Sequence, residues 1–436
     1  MDSHCFKLSK FAPPRTTPCY LAPMISTHEV SALVLGGGAA GCMAAAELGA
    51  RLGPGRVVLL EKSDRLLAKL LISGGGRCNL THDCPEVEAL LSAYPRGNPF
   101  LRNAFRRFGQ PETLAWFKHQ GVLAHAEPDG RMFPTTNRSE TVARALEQAM
   151  KQHGVAVHTG SNGIVQRVDG GFEVKVENKG LRFLSPTLLV ATGGAPKASS
   201  LDWLKGMGQP LVLPVPSIFT FPLQPHPLAS LMGCSVNEAE LGIEGTHFSA
   251  IGPVLITHWG LSGPATLRLS AFAARYLHEA GYRASLRVNW LPQWSEADLR
   301  AHLLNEKENS RGRLFRNLSA LLPERLWLAL AEQAGVPLDR KAAEINNKIL
   351  MAFAAQLQRS TFTISGKTTY KEEFVTAGGV ALEGVNPSTM ESRLVPGLFF
   401  AGEVLDVDGI TGGYNFQAAW STGWVAAQNM AVCIPQ

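Results

Sequence analysis

ALVLGGGAAGCMAAAELGARLGPGRVVLLEKSDR, residues 32 to 65, joins a short apolar run to closely spaced glycines, a row of alanines and a second apolar run. The pattern predicts a strand over Ala32–Leu35, a helix over Ala39–Arg51 and a second strand over Val57–Leu60. A strand, a helix and a further strand in this order are typical of a βαβ unit. The stretch therefore predicts an α/β fold built on a parallel sheet.

Three glycines in the turn of this unit, Gly36, Gly38 and Gly41, have the G-x-G-x-x-G spacing. Glycine at these positions lets the chain turn sharply, lets a pyrophosphate approach the backbone and lets the helix pack on the strand. The free N–H groups of the helix N-terminus favour negative charge. Glu61 follows at the distance expected of a carboxylate that binds ribose hydroxyls. These features together favour a dinucleotide site over an ordinary glycine-rich turn before a buried helix.

Length and composition limit the protein classes that fit. The chain has 436 residues, 45% of them hydrophobic, which is enough for two or three domains. Its net charge of +5 permits an anionic substrate or nucleic acid without requiring either. No run of 18 apolar residues predicts a membrane span. The seven scattered cysteines predict neither a disulfide framework nor a metal site, and they fit a reducing cytoplasm.

Residues 1–27 precede the first strand and contain four prolines with little periodicity, so we expect them to be disordered. Two interpretations stay open. Low acidity with Lys7, Lys10 and Arg15 is a feature of transit peptides. The position of Met24, close to the first strand, instead indicates an over-extended start.

A second glycine cluster lies in LAKLLISGGGRCNLTH, residues 67 to 82. Successive amides in such a loop can form an anion-binding nest. Lys69 before the glycines and Arg77 after them would add positive charge towards a phosphate or the O2/N1 edge of a flavin ring. The alternative is a flexible surface loop.

A third glycine-containing segment is TLLVATGGAP, residues 187 to 196, an apolar strand that ends in Ala191-Thr192-Gly193-Gly194. It follows a predicted β-meander over residues 155–177. This arrangement resembles the second landmark of flavoproteins with two dinucleotide-binding folds, where the chain returns to the sheet beside the FAD.

The C-terminal stretch PGLFFAGEVLDVDGITGGYNFQAAWSTGWVAAQ indicates which dinucleotide binds. A strand over Leu398–Ala401 places Glu403 where its carboxylate can bind ribityl hydroxyls. Gly412-Gly413 then opens a helix whose N-terminal amides favour the anion of a reduced flavin ring. Because NAD has no ribityl chain, this stretch favours FAD. In the alternative, Glu403 and Asp406 lie in a solvated loop.

Three motifs extend the pattern to a family: LISGGGRCNLTH, LITHWGLSGPATLRLS and EEFVTAGGVALEGVNPSTMESRLVPGLFFAGEVLDVDGITGGYNFQAAWSTG. Together they resemble the BaiN/RdsA-type FAD-dependent oxidoreductases from Val30 to the C-terminus. The resemblance implies a two-dinucleotide-binding-domain flavoprotein, in which a Rossmann-like FAD-binding domain is assembled from both chain ends. It also implies an inserted β-barrel and an all-α helical insert. APKASSLDWLKGMGQ, after Gly194, departs from the family because it lacks the expected glycine-rich run.

The middle of the chain has patterns of its own that agree with this layout. Short alternating runs and no long helical period fill Leu211 to Leu291, as a barrel requires, whereas residues 293–358 have helical periods. We therefore expect the following bounds: an N-terminal extension over 1–27, the FAD-binding domain over 28–200 and 370–436, the β-barrel over 201–292 and 359–369, and the helical insert over 293–358.

The cofactor-binding residues expected from the motifs and from the resemblance lie on all of these glycine segments. They are Gly36, Gly38, Ala39, Ala40, Gly41, Glu61, Lys62, Lys69, Ser73, Gly74, Gly75, Arg77, Asn79, Val165, Ala191, Thr192, Gly193, Gly402, Glu403, Asp406, Gly413, Tyr414 and Asn415.

The resemblance also implies reduction of a conjugated C=C bond, in a uridine of ribosomal RNA or in a steroid-like acid. Such a reaction needs a hydride from the flavin and a proton from an acid. Cys78, His258 and Tyr414 are the candidate donors in matching motifs. Each has a structural alternative: a buried filler for Cys78, a hydrogen-bonded histidine at a barrel corner for His258, and packing on the ring for Tyr414.

The electron donor and the substrate stay open at this stage. No second G-x-G-x-x-G occurs, so NAD(P)H would visit the flavin transiently, or another protein would supply electrons. An RNA-binding or assembly factor with a purely structural flavin is the alternative to an enzyme. The basic run NSRGRLFRNL, with Arg311, Arg313 and Arg316, and Arg325 beyond it, slightly favours RNA over a small acid.

Overall fold

The computed structural model describes residues 26–195, 197–318, 320–368 and 375–434. The expected N-terminal extension lies outside these ranges except for two residues. Ser26 and Thr27 begin the first strand, so the expectation of disorder up to residue 27 is wrong for them.

Strands and helices alternate near the start of the chain, and runs of consecutive strands and of consecutive helices follow. The strands, in chain order, are β1 Ser26–Glu29, β2 Ala32–Leu35, β3 Val57–Leu60, β4 Thr81–His82, β5 Ala124–Ala126, β6 Arg131–Pro134, β7 Ala156–His158, β8 Ile164–Val168, β9 Gly171–Val176, β10 Leu181–Ser185, β11 Thr187–Val190, β12 Leu211–Pro216, β13 Phe221–Pro222, β14 Ser235–Ile243, β15 Ser249–Ile256, β16 Gly260–Ser262, β17 Ala284–Asn289, β18 Ser360–Ile364, β19 Thr376–Val380 and β20 Leu398–Phe400. The α-helices are α1 Ala39–Leu52, α2 Ala68–Gly76, α3 Val87–Leu91, α4 Asn98–Arg107, α5 Gln110–His119, α6 Ser139–Gln152, α7 Asp202–Gly206, α8 Pro264–Phe272, α9 Ala274–Glu279, α10 Glu296–Asn309, α11 Glu324–Gln333, α12 Asn347–Gln358 and α13 Tyr414–Cys433.

The central layer is a five-stranded parallel sheet in the order β20-β11-β2-β3-β7. The predicted βαβ unit is confirmed as β2-α1-β3, with α1 one residue longer than expected. The chain leaves β2 towards β3 on one side, while β11 pairs with β2 on the other. The carboxyl end of β2 is therefore a topological switch point, the place where α/β sheets bind dinucleotides.

Both ends of the chain build this layer. β20 pairs in parallel with β11, and α13 packs along α1. The two helices come close because Gly423 has no side chain; a Cβ there would lie 2.5 Å from the carbonyl oxygen of Ala40. A four-stranded sheet, β1-β10-β9-β8, adjoins the central sheet. The fold is a mixed α/β fold of the Rossmann type.

The middle of the chain forms a separate six-stranded sheet in the order β13-β16-β15-β14-β17-β18. Its two edges meet, because Ser365 N donates to Pro222 O at 2.9 Å and Gln224 N donates to Thr363 O at 3.1 Å. Between Leu211 and Leu291, where the sequence predicts short alternating runs and no long helical period, the chain also forms two short helices, α8 and α9. Three longer helices, α10 to α12, follow β17 before β18 returns to the sheet.

Apolar side chains gather in two large clusters, one drawn from residues 32–204 and 380–434 and the other from residues 219–364. Polar contacts join the two parts of the chain that form these clusters. Arg96 pairs with the buried Asp408, to which Ser217 also donates a hydrogen bond, and Arg96 reaches Ala271 O at 2.7 Å. Within the described ranges, no helix combines the length and the apolarity needed to cross a membrane.

Candidate functional site

The glycine turn after β2 is shaped by two close approaches. Gly36 has a φ of +107°, and a side chain there would run into the carbonyl group of Ala191; one at Gly41 would run into Gly36 O. A Cβ at Gly38, in contrast, would meet no atom within 4 Å. Gly36 and Gly41 therefore serve the packing of the turn, and Gly38 leaves the backbone open to a ligand.

The helix that follows the turn has an N-terminus suited to phosphate. Gly38 is the N-cap of α1, no side chain caps the helix, and its first turn carries no acidic residue. Ala39 and Ala40 form the start of that turn. The N–H groups of the first turn have no partner within the helix, so they can donate to a pyrophosphate.

Glu61, at the end of β3, is held by three donors. Gly37 N donates to its Oε2 at 2.6 Å, and the N and Oγ of Ser63 donate to Oε1 at 2.8 and 2.6 Å. Oε2, which accepts only one of these bonds, retains a lone pair for a hydroxyl. Lys62 beside it is exposed. A fixed carboxylate, a bare turn and an uncapped helix fit the adenosine diphosphate part of FAD.

The second glycine cluster follows a short helical stretch, which the sequence did not predict, but the glycines themselves are not helical. α2 breaks at Ser73, whose ψ is 148°, and Gly74 and Gly75 then take left-handed conformations. Ser73 Oγ donates to Leu70 O at 2.7 Å. Gly74 and Gly75 are exposed, so their amides stay available to a ligand.

Lys69 and Glu403 come from motifs 334 residues apart, and the fold brings them together. Lys69 Nζ lies 3.1 Å from Glu403 Oε2, and Thr376 N donates to Glu403 Oε1 at 3.0 Å. The Glu403 carboxylate is thus fixed by two protein partners, Lys69 and the backbone of Thr376. It sits beside Gly194, whose Cβ position it borders.

Arg77 and Asn79 have local partners. Arg77 pairs with Glu127 at 2.5 Å and lies over the ring of Phe133, with 3.7 Å between its Cζ and the ring centroid. With its amide turned so that the nitrogen donates to Thr81 O, Asn79 also accepts a hydrogen bond from Gly413 N at 3.0 Å, which connects the second glycine cluster to the start of α13.

Two other residues expected to bind the cofactor form hydrogen bonds with groups of the protein. Asp406 accepts both of its hydrogen bonds from Arg275 of α9, at 2.6 and 2.7 Å. Asn415 accepts a hydrogen bond from Gly409 N at 2.8 Å through Oδ1, and its Nδ2 donates to Gly409 O at 2.9 Å. Their contacts shape the chain between β20 and α13.

The remaining expected ligands border the same edge of the sheet. Ala191 N donates to Leu35 O at 2.8 Å, which places the segment Ala191–Gly193 directly beside the glycine turn. Gly402 has a φ of +74°, and a Cβ there would lie 2.9 Å from the Cβ of Ala40. Val165, on β8, packs partly buried against the central core.

Tyr414, the first residue of α13, is clamped between two rings. His82 stacks on it with centroids 4.6 Å apart and an angle of 22°, and Tyr94 meets it edge-on at 6.1 Å. Burial raises the pKa of Tyr414 to about 12; Cys84 adds to the rise and Arg268 opposes it. The residue is only 8% exposed, and its hydroxyl has no hydrogen-bond partner among the described residues. The phenol is therefore held in one position and is protonated at neutral pH.

Cys78 and His258 lie in different surroundings. Cys78 is fully buried, and burial raises the pKa of its thiol to about 12, so it cannot reach a substrate in this conformation. His258 is exposed in the turn between β15 and β16 and meets the ring of Trp259 edge-on at 4.4 Å. Of the three candidate donors, Tyr414 alone combines a ring held by two others with a hydroxyl that has no hydrogen-bond partner among the described residues.

Sequence reasoning missed three residues around Tyr414. His82 ends the quoted motif LISGGGRCNLTH, so the signal was present, but nothing local connects it with a tyrosine 332 positions later. Tyr94 and Arg268 carry no motif signal; only the fold places them near Tyr414.

Comparisons with known proteins give the family. The model for the HI0933-like protein Rossmann domain matches residues 30–429. The chain is 32% identical over 421 residues to the ribosomal RNA dihydrouridine synthase of Escherichia coli (strain K12), covering 92% of this chain and 98% of that protein. It is 29% identical over 409 residues to the 3-dehydro-bile acid delta(4,6)-reductase of Clostridium scindens, covering 91% and 98%.

A solved structure agrees at the level of the fold. The 3-ketosteroid delta1-dehydrogenase from Sterolibacterium denitrificans superposes with a TM-score of 0.51 at 13% identity, covering 93% of this chain and 100% of that chain. The match of the family model to nearly the whole chain is the stronger finding. The chain belongs to the HI0933-like family, the BaiN/RdsA-type FAD-dependent oxidoreductases, and is an enzyme.

Proposed function

We propose that the protein is an FAD-dependent reductase that adds a hydride and a proton across an electron-poor C=C bond. The observation that carries the proposal is the clamped phenol of Tyr414, whose hydroxyl has no hydrogen-bond partner among the described residues, at the start of a helix opened by glycines. A reductase of this kind needs a protonated acid held in one position.

The cofactor residues act in two groups. Gly38, the first turn of α1 and Glu61 would hold the pyrophosphate and the adenosine ribose, while Lys69 and Glu403 would bind the polar parts nearer the flavin ring. When bound, FAD supplies the hydride. The glycine N-cap and the absence of acid in the first turn of α13 favour negative charge beside it.

Tyr414 supplies the proton in this proposal. A carbonyl conjugated with the C=C bond makes the far carbon electron-poor, so this carbon takes the hydride and the carbon beside the carbonyl takes the proton. The phenol gives up its proton there and takes one back from solvent, so each carbon gains one new C–H bond. Arg268, exposed and without an acidic partner among the described residues, supports the negative charge that develops.

A uridine in ribosomal RNA is the first candidate substrate. The support is the relative from Escherichia coli, a ribosomal RNA dihydrouridine synthase at 32% identity over almost the whole length. We also propose that the closed six-stranded sheet and α10–α12 are the barrel and helical inserts, and that they hold this substrate.

A small conjugated acid is the second candidate, and one structural observation favours it. The arginines of the basic run do not form an unpaired face. Arg311 pairs with Glu308, Arg316 pairs with Asp339, and Arg313 donates to a backbone carbonyl. The relative from Clostridium scindens is named for reduction of such an acid.

The experiment that tests the proposal separates the two half-reactions. The FAD-loaded protein is mixed anaerobically with NADH or NADPH, and bleaching of the flavin absorbance reports reduction. An electron-poor alkene, either a uridine-containing RNA or an enoyl acid, should then restore the absorbance. A flavin that no donor reduces, or that no alkene reoxidises, would contradict the proposal and favour a structural flavin.

The substrate is identified in cells. Mass spectrometry of ribosomal RNA from a deletion strain should show loss of a dihydrouridine and gain of a uridine at one position. Unchanged ribosomal RNA would remove uridine and leave the small acid.

A further inference from the structure

His82 contacts both the proposed proton donor and the turn that precedes it. It lies on β4, and its ring stacks on the ring of Tyr414. Its Nδ1 also lies 3.0 Å from Gly412 O. A carbonyl can only accept, so Nδ1 carries the hydrogen of this bond, in the neutral ring as well as in the cation.

The segment that His82 contacts lacks rigidity of its own. Gly412 and Gly413 have φ values of +123° and +93°, and glycine at two successive positions gives the chain wide freedom. Both positions are crowded: a Cβ at Gly412 would lie 3.1 Å from the Tyr414 ring, and one at Gly413 would lie 2.5 Å from the backbone of Thr81. The glycines are therefore needed for space, and an outside contact has to hold the turn.

We propose that His82 is a positioning residue, whose N–H bond to the Gly412 carbonyl holds the turn before α13 and so fixes the Tyr414 phenol. The inference rests on the proposed role of Tyr414 as proton donor. Tyr94 supports the same ring from its edge, and its hydroxyl donates to Tyr414 O at 2.6 Å. His82 does not itself touch the substrate in this proposal.

Three substitutions separate the hydrogen bond from the ring stacking. His82→Asn keeps an N–H donor close to the position of Nδ1 but loses the ring. His82→Phe keeps a ring that can stack but has no donor. His82→Leu has neither. If the bond to Gly412 is what matters, Asn restores the function and Phe does not.

The first measurement does not depend on turnover. 3-Fluorotyrosine is placed at position 414 of the full chain, and its ¹⁹F resonance is recorded in the resting protein. We expect the wild type and His82→Asn to give the same shifted resonance. His82→Leu and His82→Phe should give a resonance moved towards that of the free amino acid. The same label at Tyr276, which is half-exposed, should not respond to any of the three.

The second measurement is the reoxidation of reduced flavin by the alkene. A reacting group displaced by about 1 Å can cost on the order of a hundredfold in rate. We expect the rate to fall by about ten- to a hundredfold in His82→Leu and His82→Phe, with little change in His82→Asn and unchanged FAD content in all three.

The outcomes keep the two proposals apart. A wild-type resonance and rate in His82→Leu would overturn the positioning role. Rescue by Phe but not by Asn would overturn the part played by the hydrogen bond. Failure of every alkene to reoxidise the wild-type flavin would contradict the proposed function, while the ¹⁹F comparison would still test His82.

Discussion

Glycines in one turn have different tasks, and a single residue shows the difference. Gly38 has an extended backbone conformation with a φ of −83°, and its Cβ position is free of protein atoms. Valine is therefore compatible with the fold there, while its side chain occupies the path by which a pyrophosphate reaches the backbone. We expect Gly38→Val to lose FAD and keep its unfolding temperature as apoprotein, measured by flavin absorbance and circular dichroism.

Gly41→Val is the matched control in the same turn. Its side chain would run into Gly36 O, so this variant should lose stability as well as FAD. A Gly38→Val protein with full flavin content would show that the pyrophosphate does not lie at this turn.

Tyr414→Phe removes one oxygen and keeps the clamped ring. If the phenol donates the proton, reoxidation of the reduced flavin by the alkene should slow by about 10²- to 10⁴-fold, the usual contribution of a general acid. Reduction by NAD(P)H and FAD content should not change, because neither needs the hydroxyl. Stopped-flow measurements of the two half-reactions check this. An equal slowing of both would indicate damage to the flavin site instead.

The raised pKa of Tyr414 also predicts how stability depends on pH. A tyrosine in the unfolded chain ionises near pH 10, whereas Tyr414 in the folded protein holds its proton to about 12. The folded state thus binds more protons between these values, so the free energy of unfolding falls as pH rises through this range and does not depend on this group below it. Tyr414→Phe should flatten that fall in chemical denaturation experiments, and an identical fall would contradict the burial of the phenol.

At the scale of elements, the contact of α1 with α13 joins the two ends of the chain. Gly423→Val would press a side chain against the carbonyl group of Ala40, in the first turn of α1, the helix proposed to bind the pyrophosphate. Overpacking of this kind costs about 1–3 kcal/mol. We expect a lower unfolding temperature and weaker FAD binding. Val432→Ala, on the exposed end of the same helix, is the control and should change neither.

The sequence predicted those elements whose signals are local. The bounds of β2 and β3 are as expected, because a buried parallel strand is a continuous apolar run. Local reasoning failed for α2, where glycines that favour a loop end a helix. The pair Lys69–Glu403 and the clamp on Tyr414 were out of reach, since they depend on contacts across more than 300 residues.

At the scale of the whole molecule, polar contacts join the part of the chain that holds the central parallel sheet to the part that holds the six-stranded sheet. Arg275 of α9 binds Asp406, and Asp408, which pairs with Arg96, accepts a hydrogen bond from Ser217; both acids lie eight or fewer residues before Tyr414. The segment that carries the proposed proton donor is thus tied to α9 of the insert. A substrate bound by the insert would therefore lie against a fixed Tyr414 and not a mobile one.

The ion pairs of the basic run affect how strongly this surface could bind a large anionic substrate. Arg311 and Arg316 have acidic partners, Glu308 and Asp339, that are themselves exposed. Exposed ion pairs are worth at most about 1 kcal/mol, so a phosphate can replace the carboxylate at little cost. The pairing lowers the net charge of this face without preventing RNA from using it.

The last prediction follows from counterion release. If ribosomal RNA is the substrate, replacing Arg311, Arg313 and Arg316 with alanine should weaken RNA binding. It should also reduce the slope of log affinity against log salt by about one for each phosphate that the protein no longer neutralises. Flavin content should stay normal, because the arginines lie far along the chain from the glycine turns.

A charge-matched control replaces three exposed arginines outside the basic run, Arg51, Arg144 and Arg167. Binding of ribosomal RNA fragments is measured at several salt concentrations for the parent and both variants. Equal weakening in the two variants would indicate an unspecific effect of net charge. An affinity that responds neither to salt nor to the triple change in the basic run would make RNA untenable as the substrate, because no phosphates would be bound there. The small acid, which needs one cation such as Arg268 and not a basic face, would then be the substrate to pursue.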